Sequence, residues 1–259
     1  RKPRAERRVA VVLYGYPPGL GAAGTAALLN VPRSLYRLLS AMRDEGYDVG
    51  DLPDDPELLL QGIRDGDANA DSGQAYGSHS EAALGAASVT AEQLGEWLPR
   101  SSQEAVEDKW GAGLCRSGIR TMGDQLLLGG RRFGNVWLAV QPPLGIPGDP
   151  MRLLFERDMT PHPQYVAFYK YLENDFEADA VVHFGMHGTA EWLPGRPLGN
   201  MATCWPDQLL GGMPNVYLYA ANNPSESILA KRRGYGCLVS HNVPPYARAG
   251  LYRELQALR

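Results

Sequence analysis

A chain of 259 residues, 44% of them hydrophobic, is long enough to bury one large core or two smaller ones. Its net charge of -4 speaks against nucleic acid as the main partner, because duplex binders carry a basic excess. No run approaches the ~18 apolar residues of a membrane span, and Cys115, Cys204 and Cys237 form neither a disulfide framework nor a paired-cysteine metal site, which fits a reducing cytoplasm.

In chain order, Arg1, Lys2, Arg4, Arg7 and Arg8 read as a solvated basic tail. The apolar run Arg8–Tyr14, ended by Gly15 and two prolines, predicts a buried strand of a parallel sheet. After a glycine-rich loop, Leu35, Leu38, Leu39 and Met42 recur at helical spacing and predict an amphipathic helix that stops near Gly46. Residues 62–88 are Gly, Ala, Ser and Asp with almost no large apolar groups, and they predict a mobile loop. Thr90 and Gln93 then form a capping box, with Val89 and Leu94 spaced as a hydrophobic staple. A second short helix is expected from near Ser101, with Glu104 at its third position, to Gly111.

Phe133–Val140 predicts a strand ended by Pro142 and Pro143. Tyr165, Phe168, Tyr169 and Leu172 make the next helical stripe. Strands follow at Ala180–Phe184, Val216–Tyr219 and Gly236–Ser240. Asn223, Pro224 and Glu226 mark a helix start between the last two, and Leu251, Leu255 and Leu258 a closing helix. Strand and helix in alternation imply an α/β fold, mostly parallel sheets with helices on both faces. The expected arrangement is two Rossmann-like halves, 1–115 and 116–259, with ligands at the carboxyl ends of strands.

Two loops at such ends carry candidate chemistry. Gly19-Leu20-Gly21-Ala22-Ala23-Gly24 matches the G-x-G-x-x-G pattern whose backbone N–H groups hold a pyrophosphate. Pro17 and Pro18 intervene after the strand and no helix starts at Gly24, so a nucleotide site on Gly19 and Gly21, a shaped substrate-side loop and a plain connection all stay open. The second loop, residues 183–195, reads His-Phe-Gly-Met-His-Gly-Thr-Ala-Glu-Trp-Leu-Pro-Gly. His183 and His187 are four apart, as in helical zinc sites, but Gly185 and Gly188 argue against one helical face. Glycine, histidine and one carboxylate together suggest backbone close to a ligand, with Glu191 as base or metal ligand. A tight loop whose histidines merely bond backbone is the plainer alternative.

The stretch His183–Gly195, with Tyr14–Gly21, Gly24–Ser34, Ala220–Glu226 and Ala230–Tyr235, resembles the magnesium chelatase H subunit and its cobaltochelatase CobN relatives. The resemblance runs from about Arg8 onward and is weakest at 62–88. Met186 and Ala190-Glu191-Trp192 look more like the bacteriochlorophyll-pathway protein than like CobN. It implies an internal portion of a longer, cytoplasmic bacterial subunit that binds protoporphyrin IX and receives Mg²⁺ as substrate. Such a subunit works with a D subunit and an AAA+ I subunit that hydrolyses ATP. None of Lys2, Lys109, Lys170 and Lys231 follows a glycine, so the chain holds no P-loop of its own.

By carry-over, Glu191 is the first candidate for metal delivery or base, with His183 and His187 as relay or orienting groups. Glu156, as a second metal candidate, and His162 come next. Lys231, Arg232 and Arg233 could pair with porphyrin propionates or form a solvated cationic helix end, and Glu226 could simply cap its helix. Remaining alternatives are cobalt insertion into a corrin precursor, a porphyrin-holding module without catalysis, and a nucleotide-binding domain.

Overall fold

Val9–Leu13, five apolar residues in succession, form strand β1, and all five are buried because both faces of the sheet are covered. The computed structural model describes residues 2–14, 29–63, 87–114, 121–142, 158–185, 188–219 and 224–240. β1 pairs in parallel with β6 (Val136–Val140) on one side and β7 (Ala180–Phe184) on the other. With β5 (Arg131–Phe133), β8 (Asn215–Tyr219) and β9 (Cys237–Ser240), they make a six-stranded sheet in the order β5-β6-β1-β7-β8-β9, in which β5 alone runs antiparallel. The fold is thus α/β with a mostly parallel sheet, as the alternation of strand and helix predicts.

Side-chain alternation sends the two faces of the sheet into two cores. Val9, Val11 and Leu13 join Val136, Leu138 and Val140 on one face, under Val31, Leu35 and Leu39 of helix α1 (Val31–Asp44) and under helical residues 56–63. Leu35 and Leu39 are fully buried, and each such leucine contributes roughly 1.5–3 kcal/mol over an exposed one. α1 starts where Asn30 accepts from the Arg33 amide and ends just before Gly46, as expected.

Ala10, Val12, Trp137, Ala139 and Val181 face the other way. A small antiparallel sheet shares this second core, with β2 (Ala87–Thr90), β3 (Thr121–Met122) and β4 (Gln125–Leu128) in the order β2-β4-β3. Four helices complete it: α2 (Ala91–Trp97), α3 (Arg100–Trp110), α4 (Pro163–Asn174) and, after β7, Trp205–Leu210. The Thr90–Gln93 capping box has both of its bonds, and Val89 and Leu94 are buried in this core. Helices α5 (Trp205–Leu210) and α6 (Pro224–Arg233) follow β7 and β8. Among the described residues no helix is long and apolar enough to cross a membrane.

Three expectations change. Phe133–Val140 is a hairpin rather than one strand: Phe133 pairs with Val136 across Gly134 and Asn135, a two-residue turn of the kind that reverses a chain tightly. α3 begins a residue earlier than expected, behind Pro99, and Glu104 pairs with Arg100 one turn back instead of capping. The six-stranded sheet also crosses the boundary expected at residue 115, since β1 lies between β6 and β7, so the two expected halves share one layer. Most of the loop expected at 62–88 and the whole closing helix lie outside the described residues.

Candidate functional site

β6, β7 and β8 run in parallel with β1, so their carboxyl ends open at one edge of the sheet, and there the polar residues of the second core gather. Alternation along β7 sends Val181 and His183 inward toward α4, and the register sets His183 between Val12 of β1 and Tyr217 of β8. On β8, Asn215 and Tyr217 share the buried face. Gly185, at φ 97°, turns the chain out of β7 in a conformation side chains rarely adopt. Gly188 then brings backbone onto the histidine: a Cβ there would sit 2.8 Å from His183 Cδ2 and 3.0 Å from Tyr217 Oη.

Hydrogen bonds fix the tautomer of His183. Asn215 donates its amide to the Gly234 carbonyl at 2.7 Å, leaving Asn215 Oδ1 to accept at 2.8 Å from His183 Nδ1. His183 Nε2 is then an acceptor and receives the Tyr169 hydroxyl at 2.9 Å. Tyr169 and Tyr165, one turn apart on α4, both accept from Gln141 Nε2, at 2.5 and 3.0 Å. Thr189 donates to Gln141 Oε1 at 3.1 Å and lies 2.7 Å from the Tyr165 hydroxyl. Burial holds Tyr165, Tyr169 and Tyr217 well above the ordinary phenol range, so all three act as neutral hydroxyls.

Glu191 lies in the 3-10 turn Ala190–Trp192 and is fully buried. Its Oε2 accepts the Tyr217 hydroxyl at 2.5 Å, while Oε1 has no hydrogen-bond partner among the described residues. Desolvation pushes its pKa up to about 8, against the opposing pull of the Tyr217 bond and of Arg233. The Tyr217 ring stacks on His183 with centroids 4.6 Å apart, so one tyrosine joins the histidine to the carboxyl. Arg233 is buried and donates to the Leu193 carbonyl at 2.7 Å, tying the end of α6 to the loop that carries Glu191. A carboxyl of this kind can exchange a proton near neutral pH, and its open oxygen can accept a proton or a hard cation.

Of the residues expected from sequence, His183 and Glu191 come together through Tyr217. Lys231 and Arg232 do not join them: both are exposed on the last turn of α6, and the neighbouring Arg233 is the cation that turns inward. Glu226, in the first turn of α6, contributes charge that helps raise Glu191. His162 serves as the N-cap of α4, accepting the Gln164 amide at 3.2 Å against the edge of Trp110, and burial lowers its pKa to about 4. Gly19, Gly21, Glu156 and His187 lie outside the described residues, and with them the nucleotide and paired-histidine readings. Among the described residues no group of three or more His, Cys, Asp and Glu is placed to hold a metal. Gln141, Thr189, Asn215 and Tyr217 are site members that sequence reasoning misses; the spacing of Asn215 and Tyr217 on one strand face is the available signal.

The CobN/Magnesium Chelatase family model matches residues 1–259. The chain is 47% identical over 255 residues to the magnesium-chelatase H subunit of Chlorobaculum parvum, covering 98% of this chain and 19% of that protein. The magnesium-chelatase H subunit of Cereibacter sphaeroides is also 47% identical, covering 98% of this chain and 20% of the other. The aerobic cobaltochelatase subunit CobN of Pseudomonas aeruginosa is 35% identical over 261 residues, at 100% and 20%. Among solved structures, the catalytic subunit of cobaltochelatase from Mycobacterium tuberculosis superposes with a TM-score of 0.74 at 35% identity, covering 98% of this chain and 22% of that one. The chain therefore spans about a fifth of the length of these relatives.

Proposed function

The chain belongs to the CobN/magnesium chelatase family, and from that premise we propose that it is the part of a chelatase large subunit where Mg²⁺ enters protoporphyrin IX. In this reading it works in a bacterial cytoplasm with a D subunit and an AAA+ I subunit that hydrolyses ATP. Identity favours magnesium over cobalt, at 47% to the H subunits against 35% to CobN. The observation that carries the reading is the buried Glu191 carboxyl, with Oε2 held by Tyr217 and Oε1 open, at the carboxyl end of the sheet.

The reaction sets two demands that this site suits. A porphyrin gives up two pyrrole protons as the metal enters, and Mg²⁺ sheds water reluctantly and prefers oxygen ligands. Glu191, raised to about 8, exchanges its proton just above neutral pH, and once deprotonated it can accept a pyrrole proton or offer one oxygen to the incoming cation. His183, its ring stacked on Tyr217 and its Nε2 bonded to Tyr169, is the second group of the site that could take up a pyrrole proton. Glu156 and His187 are further candidates by resemblance, Gly19 and Gly21 would shape the substrate side, and Lys231 and Arg232 remain available for porphyrin propionates at the surface.

The test is Glu191→Gln in the complete subunit with its partners. The amide keeps the shape and loses the basicity, so porphyrin binding measured by fluorescence quenching should persist. Magnesium insertion should fall by about 10²–10⁴-fold. Near-normal insertion would remove Glu191 from the mechanism.

A further inference from the structure

The polar network on the α4 side of the sheet reads in one direction. Starting from the Gly234 carbonyl, each bond dictates the next: Asn215 to His183, His183 to Tyr169, Tyr169 to Gln141. Gln141, Thr189 and Tyr165 then close a ring in which every hydroxyl and amide group has one role. This pattern is complete only while His183 is neutral.

A proton added at His183 Nε2 makes that nitrogen a donor. Tyr169 would then receive from both His183 and Gln141, and its own hydrogen would have no acceptor in the network. Turning the Gln141 amide over removes the conflict. Oε1 then accepts from Tyr169 and Tyr165, Nε2 donates to Thr189, and Thr189 donates to Tyr165. The same contacts are made a second time with donor and acceptor exchanged, at the cost of one Gln141 amide hydrogen that has no acceptor within this ring. The Gln141 backbone stays fixed meanwhile, its amide donating to the Leu13 carbonyl at 2.8 Å.

We propose that Gln141 is a positioning residue for His183: by turning its amide over, it lets the ring take a proton at Nε2 without leaving any hydroxyl of the network unpaired. The inference rests on the reading of this site as the place where the porphyrin's protons are taken up. Among the described residues, the ionisable groups of the cluster are Tyr165 and Tyr169 on α4, Tyr217 on β8, Glu191 in the 3-10 turn and Arg233 on α6. The tyrosines stay neutral, and Tyr217 stands between the ring and the carboxyl. A residue that merely fills space would not set the proton affinity of the ring in a direction that depends on its own polarity.

The test follows His183 by NMR in the chain labelled with ¹⁵N-histidine. In the wild type the neutral ring should carry its proton on Nδ1. Gln141→Glu, an acceptor toward both tyrosines, should move the His183 midpoint up by about 1–2 pH units. Gln141→Leu, which can accept nothing from Tyr169, should move it down. A neutral wild-type ring protonated on Nε2, or two variants that shift the midpoint in the same direction or not at all, would overturn the proposal. If Gln141→Glu fails to fold, the wild-type tautomer and Gln141→Leu still decide it. In the complete subunit, the acid limb of the pH profile for magnesium insertion should follow the histidine. A shifted histidine with an unshifted profile would leave Gln141 in its role and sink the functional reading instead.

Discussion

Glu191 and His162 are both buried titratable side chains, and they bend the pH dependence of stability in opposite directions. Glu191 holds its proton up to about 8 in the fold against 4.5 for an ordinary glutamate, so between those values the folded chain binds the extra proton and stability falls as pH rises. His162 is lowered from 6.5 to about 4, so there the unfolded chain binds the extra proton and stability falls as pH drops through that window. Glu191→Gln should therefore melt several degrees above wild type at pH 8, with the gap closing toward pH 5. A gap of constant size in a melting series would mean that Glu191 is not protonated in the fold. That His183 and Glu191 come close at the end of β7 is legible in the sequence, because the apolar run Ala180–Phe184 stops at Gly185 and the carboxylate follows within a few residues. Tyr165 and Tyr169 are not legible, because a phenol on a helical stripe looks the same whether it fills a core or holds a hydrogen bond.

Elements are legible where a local signal specifies them. The Thr90–Gln93 box fixes the start of α2 by two reciprocal bonds, 3.1 Å from the Gln93 amide to Thr90 Oγ1 and 2.9 Å from the Thr90 amide to Gln93 Oε1. Thr90→Ala should cost about 1 kcal/mol in a denaturation series, and Thr90→Ser should recover most of it. Equal losses in the two variants would show that the threonine methyl, and not the hydroxyl, carries the effect. The start of α3 is harder to place because Ser101 resembles a cap, whereas Pro99 sets the entry and Ser102 Oγ turns to Gln208 at 2.6 Å. That contact lies 106 residues away in sequence, so no local pattern could announce it. The β5–β6 hairpin does carry a local signal, Gly134-Asn135 between two strand-forming stretches, and reading Phe133–Val140 as one strand passes over it.

At the scale of the whole chain, alternation of strand and helix yields the fold class but not the order of strands, because long-range pairing leaves no mark on periodicity. The place of β1 is what a reading in two halves cannot supply. It is the central element of the larger sheet by contact, with a five-residue parallel ladder on each edge, and both of its neighbours come from beyond residue 115. Removing it would leave β6 and β7 about 9–10 Å apart, twice the strand spacing, with two unpaired edges in the interior. It would also strip Val9, Val11 and Leu13 from one core and Ala10 and Val12 from the other. Residues 1–115 alone would keep α1 and β1 with no partner strand in the sheet order to receive them. We therefore expect neither 1–115 nor 116–259 to fold when expressed separately, while the intact chain melts cooperatively by circular dichroism. A cooperative transition in 116–259 alone would show that β6 and β7 can close without β1, and that the boundary at 115 separates independent units after all.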